Sequence, residues 1–82
     1  MMNTLNTINE GSSILKDKNV KTYKIDSEIL LADVLKKERS ILLANLDKKL
    51  NFDQINQFRS LILRRSLCEP IAYILKKKRI LE

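Results

Sequence analysis

The chain contains no histidine and no tryptophan, and one residue each of glycine, proline and cysteine. Each shortage closes off a class of chemistry. Without histidine the commonest general base and metal ligand is missing. A single cysteine, Cys68, forms no internal disulfide and builds no zinc site, so a disulfide-framed secreted domain is excluded. With Gly11 as the sole glycine there is no Gly-rich phosphate loop. One glycine and one proline also leave few tight turns, which disfavours an all-β fold and favours helices. Two tyrosines and two phenylalanines offer few stacking platforms for single-stranded nucleic acid. No apolar run approaches the length that spans a bilayer. The start, Met1-Met2-Asn3-Thr4-Leu5, lacks the basic-then-apolar order of a signal peptide, so the cytoplasm is the expected location.

What remains is an ordinary globular composition. Apolar residues make up 44% and charged residues 32% of 82 residues, enough for one small domain. The net charge is +6, with a cationic run at Lys76-Lys77-Lys78-Arg79. A surface this basic suits an acidic partner or nucleic acid, or simply keeps the domain in solution.

Helical spacing organises the rest. A first segment over residues 4–18 places Leu5, Ile8 and Leu15 on one face, with Ser12 at the gap and Gly11 as a weak point. Asn19 is suited to a left-handed position after it, with Val20 packing back. A second segment over 26–37 is apolar around most of its circumference and is expected at the centre of the fold. Asp26 and Glu28 are read there as first-turn charges on a solvated edge, with Asp33 on the wet side and Lys36 and Lys37 at the far end. Residues 40–44 form a short third helix. Asn51 and Gln54 make a capping box for a fourth, flanked by Leu50 and Ile55 as a hydrophobic staple, and Arg64 and Arg65 suit its end. Pro70 then opens a short fifth turn ending at Leu75, with Ile71, Ile74 and Leu75 on its inner side and Tyr73 packed beside them. The expected fold is all-α, a small orthogonal bundle of four to five helices.

Two stretches, Ile25-Asp26-Ser27-Glu28-Ile29-Leu30-Leu31-Ala32 and Arg64-Arg65 through Glu69-Pro70-Ile71-Ala72-Tyr73-Ile74, resemble the N-terminal domain of the HemK/PrmC methyltransferases. The usual family pattern is Asp-Ala-Glu-x-Leu-Leu-Ala, followed some forty residues later by Arg-Arg-x-x-Gly-Glu-Pro-x-Ala-Tyr-Ile. Each motif is weak alone, and their order and spacing make the pair fairly specific. The chain departs from the pattern at Cys68 and Lys76, where glycine is preferred, and at Arg79-Ile80, where Glu-Phe is usual. Nothing in it resembles the family's Gly-rich cofactor loop or its Asn-Pro-Pro-Tyr motif.

The resemblance implies a substrate-recruiting domain over residues 1–75 and a basic connector over 76–82, with the catalytic domain absent. It implies no catalytic, cofactor-binding or metal-binding residue in this chain, and S-adenosylmethionine as cofactor of the missing domain. The substrate implied is the glutamine of the Gly-Gly-Gln motif in peptide-chain release factors, and the chain alone is expected to be inactive and monomeric. Candidate release-factor contacts are Arg64, Arg65, Lys76, Lys77 and Lys78; the two arginines have a structural alternative as a cap on the fourth helix or a pin on the Pro70 turn. The rival reading is a stand-alone basic helical module binding nucleic acid, with Gln54, Asn56, Gln57 and Arg59 as base readers on the fourth helix.

Overall fold

Asn3 starts the first helix by accepting the Asn6 N–H on its side-chain oxygen at 2.8 Å. Asn51 starts the longest one with the full capping box: it accepts from Gln54 N–H at 2.8 Å and its own N–H donates to Gln54 Oε1 at 3.0 Å. The computed structural model describes residues 2–80, with side chains through Leu75. Its helices are α1 (Thr4–Asp17), α2 (Tyr23–Leu35), α3 (Arg39–Leu43), α4 (Phe52–Ser66) and α5 (Ile71–Ile80). The fold is the expected all-α bundle, and its radius of gyration of 11.7 Å matches the value of about 12 Å for one compact domain of this length.

The central position falls to α2, which touches each of the other four helices. Leu30 and Leu31 are fully buried there, against Ile8, Leu15, Phe58, Ile62 and Ile74 from its neighbours. Chain ends and loops are tied in by backbone pairing. Thr4 N–H and Oγ1 both donate to Lys48 O at 2.8 Å, Leu5 N–H donates to Leu46 O, and Leu50 N–H to Met2 O. These bonds lay the start of α1 along the connection before α4.

Three helices end in the same way, and none uses glycine. Asn19 (φ 63°), Lys36 (φ 55°) and Cys68 (φ 71°) adopt the left-handed conformation. In each case that residue and the next return their N–H groups to carbonyls of the last turn, satisfying acceptors the helix leaves open. Val20 is buried after Asn19, as expected. The one glycine serves packing instead. Gly11 is buried inside α1 where α4 crosses it, and a Cβ there would lie 2.5 Å from Phe58 Cζ and 2.9 Å from Ile62 Cδ1.

Several expectations are corrected. Helix α2 starts at Tyr23, not Asp26; its N-cap is Thr22, whose hydroxyl donates to Asp26 Oδ2 at 2.9 Å and caps no backbone N–H, so the start carries no side-chain cap that the sequence could show. Asp26 and Glu28 are buried, not on a solvated edge, and Asp33 is half-buried. Leu5 and Ile25 are largely exposed. Tyr73 is 49% exposed, while Ile74 takes the core position. Helix α5 runs past Leu75 to Ile80, so part of the expected connector is helical.

Candidate docking surface

The two motifs that carry the sequence resemblance meet in space. Arg65, at the end of α4, donates Nε–H to Asp26 Oδ2 at 2.9 Å, across 39 residues of sequence, and Nη1–H to the Glu69 carbonyl at 3.1 Å. Arg64 forms a two-pronged pair with the Glu69 carboxylate, at 3.0 and 3.4 Å. Cys68, exposed and left-handed, supplies the bend that brings Glu69 back over the end of α4. The result is a clasp joining the start of α2, the end of α4 and the start of α5. Its arginines are positioned by helix geometry: consecutive residues in the last turn point in different directions, one to Glu69 and one to Asp26.

This geometry places the predicted contact residues in two groups. Arg64 and Arg65 are part-buried and already hold carboxylates, in the structural arrangement that was the alternative reading of the sequence. The side chains of Lys76, Lys77 and Lys78 lie outside the described residues, as do Leu81 and Glu82; the lysine backbones belong to α5. The base-reader set on α4 is also divided. Gln54 is occupied in the capping box and Arg59 pairs with Glu10 at 2.9 Å, which raises the arginine's pKa further above its ordinary value. Asn56 and Gln57 are exposed.

Other charges group around the bundle. Besides Arg65–Asp26 and Arg59–Glu10, a further cross-helix pair joins Arg39 of α3 to the buried Glu28 of α2 at 3.4 Å. Lys16 sits over the Tyr23 ring, 5.7 Å from its centroid, beside a shallow cleft of about 320 Å³ lined by residues 21–25. No group of three histidine, cysteine, aspartate or glutamate side chains among the described residues is placed to hold a metal ion. No helix among them is long and apolar enough to cross a membrane.

The family model that matches the chain is the PrmC N-terminal domain, over residues 6–75. The chain belongs to this family. Its curated relatives include the release factor glutamine methyltransferase of Leptospira interrogans, 38% identical over 74 residues, which is 90% of this chain and 26% of that protein. The enzyme of the same name from Buchnera aphidicola subsp. Acyrthosiphon pisum is 44% identical over 66 residues, 80% of the chain and 24% of that protein. A bifunctional methyltransferase of Rickettsia bellii is 38% identical over 71 residues, 87% of the chain and 13% of that protein. The chain thus spans about a quarter or less of these relatives' length. No solved structure matches it.

With the family known, Cys68 becomes interpretable. The family's preferred glycine at this position is the residue that adopts φ near 71° without strain, and this chain places a cysteine there. The clasp itself was not legible from sequence, because Arg65 and Asp26 meet only once α2 and α4 are packed.

Proposed function

We propose that the chain is the substrate-recruiting domain of an S-adenosylmethionine-dependent methyltransferase that modifies the Gly-Gly-Gln glutamine of peptide-chain release factors. It docks the release factor and leaves methyl transfer to a separate catalytic domain. Residues 76–82 lead towards that domain, and Arg64 and Arg65 contribute by fixing the direction in which α5 leaves the bundle. The observation that carries this reading is the match to the PrmC N-terminal domain over residues 6–75, together with relatives named for release-factor methylation. The reading places the domain in the cytoplasm as a monomer. Lys76, Lys77 and Lys78 remain its candidate contacts to the release factor along α5.

Calorimetry separates recruiting from catalysis. Titration with release factor is expected to give a saturable heat, weak because the catalytic domain's second attachment and its effective-concentration gain are missing. Titration with S-adenosylmethionine is expected to give none. One-to-one binding of the cofactor without binding of the release factor would overturn the reading.

A further inference from the structure

Helix α5 is held to the bundle differently from α1, α2 and α4. It packs against α2 and α4, yet of its side chains through Leu75 only Ile74 is fully buried. Ile71 and Leu75 pack at the edge of the core, and Tyr73 is half exposed. Each of the other three long helices gives the core at least two buried apolar side chains: Ile8 and Leu15 from α1, Leu30 and Leu31 from α2, Phe58 and Ile62 from α4. The core that those six residues form does not depend on α5 beyond the single side chain of Ile74.

Polar bonds tie down its start. Arg64 holds the Glu69 carboxylate at 3.0 and 3.4 Å, and Arg65 holds the Glu69 carbonyl at 3.1 Å while its Nε–H reaches Asp26 on α2. The Arg64 and Glu69 side chains are 27% and 30% exposed, so water competes for that pair. The turn between the two helices is strained as well, because Cys68 sits at φ 71°, where its Cβ crowds the backbone. Undocking α5 relieves that turn. A unit joined by little buried apolar surface and by part-exposed polar bonds opens at a lower free energy than the whole domain.

We propose that α5 is a latched arm: it undocks as a unit while α1 to α4 stay folded, and the clasp of Arg64, Arg65, Asp26 and Glu69 sets the balance between its docked and undocked states. Ile74 is the tooth of the latch and Cys68 its hinge. In the recruiting role proposed above, α5 leads towards the catalytic domain, so the strength of the clasp governs how freely the bundle and anything bound to it move relative to that domain. The arm itself is a property of this chain and is tested without any partner, so its failure leaves the recruiting role standing.

Native-state hydrogen exchange of the 82-residue chain, followed by NMR in low concentrations of urea, tests it. The Ile74 and Leu75 amides are expected to exchange faster than those of Leu30 and Leu31, and with a smaller urea slope, because undocking one helix exposes less surface than global unfolding. Two mild variants separate the events, with circular dichroism verifying that each stays helical. Arg64→Met removes one bond of the clasp and should speed exchange at Ile74 and Leu75 about threefold. Ile55→Val, near the start of α4 and away from the clasp, should speed exchange at Leu30 and Leu31 about threefold or more and leave Ile74 and Leu75 unchanged. Exchange at Ile74 and Leu75 with the same rate and urea slope as at Leu30 and Leu31, or an equal acceleration of all four amides by Ile55→Val, would show that α5 opens only with the whole domain and overturns the proposal. Unchanged exchange at Ile74 and Leu75 in Arg64→Met overturns the clasp as the latch.

Discussion

At the scale of single residues, the scarcity of glycine leaves its mark at three left-handed helix ends, Asn19, Lys36 and Cys68. A non-glycine residue at φ 71° costs on the order of 1–2 kcal/mol, partly offset in a glycine variant by the greater freedom of its unfolded chain. Cys68→Gly is therefore expected to stabilise the domain by about 0.5–1 kcal/mol, measured as a rise in the urea midpoint at unchanged slope. A loss of stability would show that the Cys68 side chain contributes more than its backbone costs. Gly11→Ala is expected to go the other way. Alanine is the better helix former by about 1 kcal/mol, but its methyl group would meet the fully buried Phe58 ring, and overpacking costs roughly 1–3 kcal/mol. A net loss in thermal melting is predicted; a gain would mean that Phe58 yields. The left-handed turn at Asn19 was readable in the sequence because asparagine favours it. Lys36 and Cys68 were not, because only the packed helices force those residues into it.

At the scale of elements, the signals that are local in sequence were the ones legible in it. The capping box of Asn51 and Gln54, the staple of Leu50 and Ile55 and the apolar circumference of α2 each lie within one helix and its flanks. What sequence did not reveal is long-range: the burial of Asp26 depends on Arg65, and that of Glu28 on Arg39. The clasp makes a direct prediction. Arg65→Ala leaves the Asp26 carboxylate, 8% exposed, with the Thr22 hydroxyl but no cation, and should cost roughly 3 kcal/mol. The double variant Arg65→Met with Asp26→Leu should recover most of that loss, because an apolar pair of similar volume removes the stranded charge. Equilibrium denaturation of the parent, Arg65→Met, Asp26→Leu and the double variant closes the cycle. An Arg65→Ala variant as stable as the parent would remove the clasp from the account. The docking candidates show the same division: Arg64 and Arg65 were visible as a basic pair, but their carboxylate partners were not.

At the scale of the whole molecule, the five helices among the described residues share one small core, and a domain of this size has on the order of 5 kcal/mol of stability. Leu30→Ala, at the centre of α2, would remove roughly 2–5 kcal/mol through lost transfer energy and a cavity, and should unfold much of the population at 37 °C. An unchanged melting curve would contradict the central placement of that helix. The functional claim is that such a bundle, in the PrmC N-terminal domain family, recruits release factor for a catalytic domain elsewhere. Competition tests it most directly. The 82-residue chain is added, at concentrations up to about 1 mM to allow for weak affinity, to a full-length release factor glutamine methyltransferase methylating its release factor. The account predicts that the chain raises the apparent KM for release factor and leaves that for S-adenosylmethionine unchanged. Methyl transfer by the chain alone, or a full-length enzyme indifferent to the chain at every concentration, would contradict it.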